Sequence, residues 1–234
     1  MNNEFILIAT LVVLYSVVLL WYKLFGRTGL FCWIVLATIS ANIEVLILVD
    51  AFGVEQTLGN VMFATTFMVT DILSETEGKP VAKKAVHVGI LTSITFILVS
   101  QVWLLYTPSA NDWAFPSIRA IFSNTPRLML VSLGVYSIVQ RFDVFLYNKV
   151  WAWTHNLCND KKKYLWLRNN ASTLLSQLLN TVLFTLGAFW GTYPLHTLFS
   201  IMGSSYIIFI VTSVSDTPFV YAARRISYTI KNNY

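Results

Sequence analysis

Long apolar segments alternate with short polar segments along almost the whole chain. Runs of about 20 apolar residues have the length that an α-helix needs to cross a bilayer. Seven such segments are predicted, at residues 4–22, 30–49, 57–73, 86–106, 127–148, 173–190 and 198–220. The pattern therefore predicts an all-α integral membrane protein with short loops between its helices.

The composition supports this fold class. Of the 234 residues, 56% are hydrophobic and only 12% are charged, whereas soluble domains usually carry about 25% charged residues. The predicted spans account for most of the length. We therefore expect a single membrane domain over residues 1–234, with no soluble domain attached.

The basic residues indicate how the helices are oriented, because cytoplasmic loops collect lysine and arginine. If the N-terminus lies outside and the C-terminus in the cytoplasm, 13 of the 16 basic residues fall in inner loops. These are Lys23, Arg27, Lys79, Lys83, Lys84, Lys149, Lys161, Lys162, Lys163, Arg168, Arg224, Arg225 and Lys231. The distribution predicts a multi-pass protein of the cell (inner) membrane in this orientation.

Five polar side chains interrupt the apolar segments: Asp71, Asp143, Gln177, Asn180 and Asp216. An aspartate at the centre of a bilayer costs roughly 2.5–3.5 kcal/mol on insertion scales, so such residues usually have a function. With a rise of 1.5 Å per residue, Asp143 lies roughly 24 Å below the outer edge of its span and Asn180 roughly 10 Å above the inner edge of its own. These depths nearly coincide in a core about 30 Å thick. The sequence therefore predicts a polar site in the inner half of the bundle.

Purely structural roles are the alternative for each residue taken singly. Serine, threonine, asparagine and glutamine often only join neighbouring membrane helices. Asp71, Glu75 and Asp216 could lie at the inner interface, where water reaches them, and Asp143 could pair with Arg141. The similar depth of polar groups on four helices argues against a structural role for all of them.

Several short motifs together resemble one transporter family. They are T-D-I-L-S-E-T-E-G-K at 70–79, P-R-L-M-L-V-S at 126–132, S-I-V-Q-R-F-D-V at 137–144, R-N-N-A-S-T-L-L-S-Q-L-L-N-T-V-L-F at 168–184 and S-D-T-P-F-V-Y at 215–221. All five, in order, are similar to the queuosine-precursor transporter family, also called the vitamin uptake transporter family.

This resemblance implies both a fold and a function. The fold would be a six-helix bundle like the substrate-binding subunits of energy-coupling-factor transporters. Residues 30–220 would form this core, and residues 4–22 would add one N-terminal transmembrane helix. The function would be import of a 7-deazaguanine precursor of queuosine, such as 7-cyano-7-deazaguanine, 7-aminomethyl-7-deazaguanine or queuine.

The resemblance also extends the set of candidate residues. The polar motif positions of the family fall on Asp71, Glu75, Gly78, Arg127, Gln140, Asp143, Arg168, Ser176, Gln177 and Asp216. At position 180 the family usually has aspartate, and this chain has asparagine. The candidate substrate-binding residues are Asn42, Asp71, Glu75, Arg127, Gln140, Asp143, Gln177, Asn180 and Asp216.

The chemistry of a deazaguanine suggests roles for four of them. A carboxylate can accept two adjacent N–H groups, and an arginine or amide can donate to the ring carbonyl. We expect Asp143 to accept from the edge of the base, with Gln177 and Asn180 beside it and Arg127 as a gate or carbonyl donor. The side chains available for stacking are Phe63, Phe67, Trp103 and Phe184.

The position of the site stays open at this point. Related substrate-binding subunits hold ligand near the outer face, whereas the acidic residues are predicted in the inner half. The acidic cluster is then either an inner gate or part of a pocket with alternating access.

Other functions fit the sequence less well. Within transport, the rival is uptake of another vitamin or nucleobase, with the chain acting as the substrate-binding subunit of an ATP-driven complex. The chain has no G-x-x-x-x-G-K motif, so ATP hydrolysis would require a partner ATPase subunit. No motif of an intramembrane enzyme is present, and a scaffold would not need acidic groups at one depth. The sequence predicts no enzyme activity, cofactor, metal or nucleic-acid partner.

Overall fold

The computed structural model describes residues 2–123, 126–158, 160 and 163–232. Within these residues the chain forms seven α-helices and one β-hairpin. In chain order they are α1 (Asn3–Glu44), β1 (Leu48–Ala51), β2 (Val54–Thr57), α2 (Gly59–Thr76), α3 (Lys79–Trp103), α4 (Phe115–Ser123), α5 (Pro126–Cys158), α6 (Leu165–Phe189) and α7 (Leu195–Asn232).

Helix α1 is two helices joined at Gly26. This residue has φ 57° and ψ −142°, a conformation that glycine adopts without steric cost. The amide Nδ2 of Asn3 donates to the carbonyl of Asp50 over 2.8 Å, although Asp50 follows the far end of α1. Residues 3–25 and 27–44 therefore run antiparallel, as two separate predicted spans require.

Helix α2 occupies the centre of the bundle. It contacts α1, α3, α5 and α7, and every residue from 64 to 74 is buried. This short helix carries three threonines and Asp71 among its buried positions. The neighbouring helices separate these polar groups from lipid.

The two ends of the bundle differ in chemistry. The hairpin end contains the hairpin (residues 48–57), the start of α2 and the turn between α6 and α7. The basic end contains Gly26, the turn between α2 and α3, and the end of α7. The described basic residues of the predicted inner loops collect at the basic end. Lys161 and Lys162 lie outside the described residues.

The hairpin is a correction to the sequence prediction. Helix α1 ends at Glu44, whereas a helical span was predicted to residue 49. The strands pair in antiparallel register, with Leu48 opposite Thr57 and Ala51 opposite Val54. Phe52 and Gly53 form the turn with φ of 54° and 73°, and two successive positive φ angles are typical of tight hairpin turns.

Five helices within the described residues are long and apolar enough to cross a membrane: α1, α3, α5, α6 and α7. The fold is therefore that of a multi-pass helical membrane protein, as predicted. Helix α2 does not reach the same hydropathy. The helices also extend past the predicted segments at the basic end, and α6 begins at Leu165, eight residues before its predicted start.

Helix α4 packs on the end of α3. The ring of Phe122 lies 6.1 Å from that of Phe96 and 5.7 Å from that of Trp103, measured between centroids. The amide Nε2 of Gln101 donates to the carbonyl of Phe122. Trp103 therefore belongs to this aromatic packing at the bundle edge.

Candidate functional site

A network of side-chain hydrogen bonds joins α2 to α5 in the centre of the bundle. The amide Nε2 of Gln140 donates to Thr66 Oγ1 over 2.7 Å, and Thr70 Oγ1 donates to Gln140 Oε1 over 3.3 Å. Gln140 is fully buried. Both ends of its amide are therefore used within the protein, and this residue fixes the two helices relative to each other.

Next to this link, three carboxyl groups from three helices meet α6. Asp71 of α2 accepts a hydrogen bond from Thr173 over 3.1 Å. Asp216 of α7 accepts one from Asn169 over 2.6 Å. Asp71, Asp143 and Asp216 are each at most 1% exposed. The structure thus brings these three residues together, as their similar depth suggested.

Asp143 forms the middle of this acidic cluster (Asp71, Asp143 and Asp216). Its carboxyl group lies beside that of Asp71 and beside the hydroxyl groups of Ser172 and Ser176. These contacts come from α2 and α6, so the carboxyl group of Asp143 sits between two helices.

Several atoms in and beside the acidic cluster have no hydrogen-bond partner among the described residues. They are Asn169 Oδ1 and both amide atoms of Gln177, whereas the carboxyl groups of Asp71 and Asp143 and the hydroxyl group of Ser176 contact one another. Buried polar atoms are hydrogen-bonded in the great majority of proteins. The cluster is therefore equipped to accept hydrogen bonds from a bound molecule.

Glu75 lies one helical turn from Asp71, toward the basic end, in an ionic network. Its carboxylate accepts three hydrogen bonds from Arg168, at 2.7, 2.7 and 2.9 Å, and one from Tyr147 at 2.8 Å. Arg224 also approaches it, at 3.5 Å. This network joins α2, α5, α6 and α7 at their basic ends.

A cavity of about 380 Å³ lies at the hairpin end. It is enclosed by the end of α1, the hairpin, the start of α2, and parts of α5, α6 and α7. Its aromatic lining consists of Phe63, Phe184, Phe189, Tyr193 and Phe209. Ligand pockets of this kind are mostly apolar, with a few polar groups that orient the ligand.

The polar lining of the cavity consists of amides and hydroxyl groups. Gln56, Asn60 and Asn180 contribute amides, and Ser132 and Thr185 contribute hydroxyl groups. Among the described side chains that line it, none is charged. The cavity can therefore stack a flat ring and hydrogen-bond its edges.

The predicted site residues thus occupy different places. Asn180 is the one candidate among the nine that lines the cavity. It lies farther from the basic end than predicted because α6 begins at Leu165.

Two other candidates lie at the hairpin end or beside α3. Asn42 donates to Ser93 of α3 and lies outside the cavity lining. Arg127 is at the hairpin end and donates to backbone carbonyls of Gly187 and Trp190.

The predicted stacking residues also separate. Phe63 and Phe184 line the cavity. Phe67 is buried behind Phe63, with 5.2 Å between ring centroids. Trp103 packs against α4, away from the cavity.

Known proteins similar to this chain are transporters. Residues 57–223 match the family described as "Putative vitamin uptake transporter". A Bacillus subtilis (strain 168) protein named "Probable queuosine precursor transporter" is 39% identical over 224 residues, which cover 96% of this chain and 95% of that protein. An Escherichia coli (strain K12) protein named "Queuosine precursor transporter" is 25% identical over 172 residues, which cover 72% of this chain and 70% of that protein. No solved structure matches the chain significantly.

The chain belongs to this vitamin uptake transporter family. The resemblance inferred from the motifs is confirmed, and the protein is a transporter and not an enzyme. The matched residues begin at Thr57, after both halves of α1 and most of the hairpin.

Some cavity residues of this transporter were missed by sequence reasoning. Gln56, Phe189 and Tyr193 all line the cavity, and none was a candidate. Gln56 was missed because the hairpin was not foreseen. The signal that could have revealed it is a glycine at position 53 between two short runs of strand-forming residues.

Proposed function

We propose that this protein imports a queuosine precursor of the 7-deazaguanine class across the membrane. The observation that carries the proposal is the 380 Å³ cavity, with its aromatic rings and uncharged amides. It occurs in a chain that is 39% identical, over nearly the full length, to a protein named as a queuosine precursor transporter. A flat bicyclic base offers both the ring face and the hydrogen-bonding edges that such a lining can bind.

The substrate binds first in this cavity. Phe63 and Phe184 supply ring faces from α2 and α6, and Asn180 supplies an amide to an edge of the base. Asn180 lines the cavity, whereas none of the three aspartates of the acidic cluster does, and this offset supports two stages of binding. Ser176, which lies beside Asp143, is one helical turn before Asn180.

The acidic cluster then forms the inner part of the route. Asp143 accepts N–H groups of the base when the substrate moves toward the basic end, with Gln177 beside it. Support comes from the buried carboxyl group of Asp143 between α2 and α6, and from the amide of Gln177, which has no hydrogen-bond partner among the described residues. This assignment accommodates both a cavity near one face and an acidic cluster deeper in the bundle.

The arrangement in the membrane follows from the same features. The N-terminus lies outside and the C-terminus in the cytoplasm, since the basic end carries most lysines and arginines. Residues 3–25 form an additional helix beside a core of six spans, all within a single membrane domain. If ATP drives transport, a partner ATPase subunit supplies it, because the chain has no nucleotide-binding motif.

The test is restoration of queuosine in tRNA. The chain is expressed alone in a bacterial strain that can neither make nor import the precursor, and the medium is supplied with 7-cyano-7-deazaguanine. We expect queuosine to reappear in tRNA. Binding of deazapurines, purines and vitamins to the purified protein then separates the proposal from its rival. A protein that binds another vitamin or base and no deazaguanine would contradict it.

A further inference from the structure

The hairpin places a buried amide against the cavity. The side chain of Gln56 on β2 is 4% exposed and lines the 380 Å³ cavity. Neither its Nε2 nor its Oε1 has a hydrogen-bond partner among the residues that the structure describes. A buried amide without partners has lost its hydrogen bonds to water without replacing them, which is unfavourable in a folded protein. An arrangement of this kind is expected where a ligand supplies the missing hydrogen bonds.

On the side of Gln56 that faces α1 and α7, the surrounding residues offer few polar groups. There the side chain borders a second cavity, of about 190 Å³, lined mainly by apolar residues of α1 and α7. The protons of its hydroxyl groups are already used, since Ser204 donates to the carbonyl of Ile201 and Thr212 to that of Phe209, so neither hydroxyl can donate to Gln56 Oε1. A donor for Oε1 of Gln56 therefore has to come from the larger cavity.

The backbone around Gln56 is held in place. Gln56 pairs with Val49 across the hairpin, and the amide of Leu58 donates to the carbonyl of Ile47 over 2.8 Å. At the turn, the amide of Phe52 donates to Glu4 of the first helix over 2.9 Å. The amide of Gln56 is thus presented from a fixed strand, which lowers the entropy lost when it binds a ligand.

We propose that Gln56 is a specificity-determining residue that pairs with the lactam edge of the substrate, where a ring N–H stands next to a carbonyl. A carboxamide has one acceptor and one donor side by side, so Oε1 accepts from the ring N–H while Nε2 donates to the carbonyl. Two parallel hydrogen bonds of this kind discriminate between bases by about tenfold or more. This inference rests on the proposed function and adds the contact that selects the substrate.

The test combines a change in the residue with a change in the ligand. The full-length protein is placed in lipid nanodiscs, and binding is measured for 7-cyano-7-deazaguanine and for an analogue with hydrogen in place of the carbonyl oxygen. The analogue lacks the carbonyl acceptor, and its ring nitrogen no longer carries a proton. We expect the natural protein to bind the analogue at least tenfold more weakly. In Gln56→Leu this preference should shrink by on the order of tenfold.

The controls separate recognition from folding. Gln101→Leu makes the same chemical change at a glutamine that contacts α4, away from the cavity, and should keep the full preference. Gln56→Met keeps the length of the side chain but cannot form the two hydrogen bonds. It replaces Gln56→Leu in the test if the leucine variant aggregates during purification.

The outcomes for the two proposals differ. A natural protein that binds neither ligand contradicts the proposed function, and the role of Gln56 with it. A natural protein that prefers 7-cyano-7-deazaguanine, with the same preference in both Gln56 variants, overturns the role of Gln56 alone.

Discussion

Arg168 holds Glu75 in a two-point ion pair inside the bundle: Nη2 lies 2.7 Å from Oε1, and Nε lies 2.9 Å from Oε2. The guanidinium group also stacks on the ring of Trp151, 4.6 Å from its centroid. Both side chains of the pair are at most 3% exposed. The pair therefore has a structural role in holding the basic ends of α2 and α6 together.

Arg168→Ala should strongly destabilise the protein. It leaves the carboxylate of Glu75 buried without its main partner, and removing one member of a buried pair costs about 3–5 kcal/mol. We expect a lower midpoint of thermal unfolding in detergent.

The double variant Arg168→Ala/Glu75→Gln should recover part of this loss, because no buried charge is left. Arg225→Ala, at an exposed position of the same end, should leave the midpoint unchanged. An unchanged midpoint in Arg168→Ala would refute the structural role.

Gly89→Ala tests the contact between α3 and α5. A Cβ atom at position 89 would clash with the hydroxyl oxygen of Tyr136, so the helices have to move apart or the side chain of Tyr136 has to shift. Forced overpacking of a core usually costs about 1–3 kcal/mol. We expect a lower thermal midpoint, which Tyr136→Phe should partly restore in the same protein.

The control for this substitution is Gly134→Ala on α5. No atom lies within 4 Å of the Cβ it would add. Alanine is favoured over glycine within a helix by about 0.5–1 kcal/mol, so this variant should be at least as stable as the natural protein. Equal effects of Gly89→Ala and Gly134→Ala would rule out close packing as the cause.

Much of the buried polar chemistry could be predicted from the sequence. The regular rise of a helix and the fixed thickness of a bilayer place residues on different spans at comparable depth. The similar depth of Asp71, Asp143 and Asp216 predicted that they lie close together, as they do in the structure. The same reasoning placed Asn180 too close to the basic end, because apolar segments show where lipid begins and not where a helix begins.

The cavity could not be predicted in the same way. Residues 45–57 include L-I-L-V-D-A-F-G-V-E-Q-T at 46–57, and a short apolar run does not by itself distinguish strand from helix. Because the hairpin was not predicted, neither its contribution to the cavity wall nor the role of Gln56 could be predicted. Residues of the turn between α6 and α7, such as Tyr193, come into the cavity through tertiary contacts that no local pattern records.

Asp143→Asn should strongly impair transport. The substitution keeps the size of the side chain but replaces an acceptor-only group with one that also donates. We expect queuosine in tRNA to fall by on the order of tenfold or more, the equivalent of about 1.4 kcal/mol, at an equal amount of protein in the membrane. Asp50→Asn, at an exposed position of the hairpin, should leave import unchanged. Undiminished import by Asp143→Asn would show that the acidic cluster is not part of the route.

Asn180→Asp should change which precursor is preferred. A carboxylate in the cavity would attract the ammonium group of 7-aminomethyl-7-deazaguanine, whereas the cyano precursor is neutral. Hydrogen bonds to charged groups contribute about 1.5–3 kcal/mol, against about 0.5–1.5 kcal/mol for neutral ones. The ratio of the two affinities should therefore shift toward the aminomethyl base by about tenfold.

The measurement is direct binding of both bases to purified protein. Asn111→Asp adds the same charge at an exposed residue outside the cavity lining and should leave the ratio as it is. If Asn180→Asp and Asn111→Asp give the same ratio, position 180 does not contact the substituent that distinguishes the two bases.

The central position of α2 has a consequence for how the protein is made. Helix α2 packs extensively against α1, α3, α5 and α7. Among the long helices that the structure describes, it alone is not apolar enough to count as a membrane span. Insertion into a bilayer depends on the hydropathy of the individual segment. We therefore expect α2 to enter the membrane as a hairpin with α3 or after α1 has formed a surface for it. During biogenesis the helix that carries Asp71 depends on its neighbours for entry, as it later depends on them for shielding from lipid.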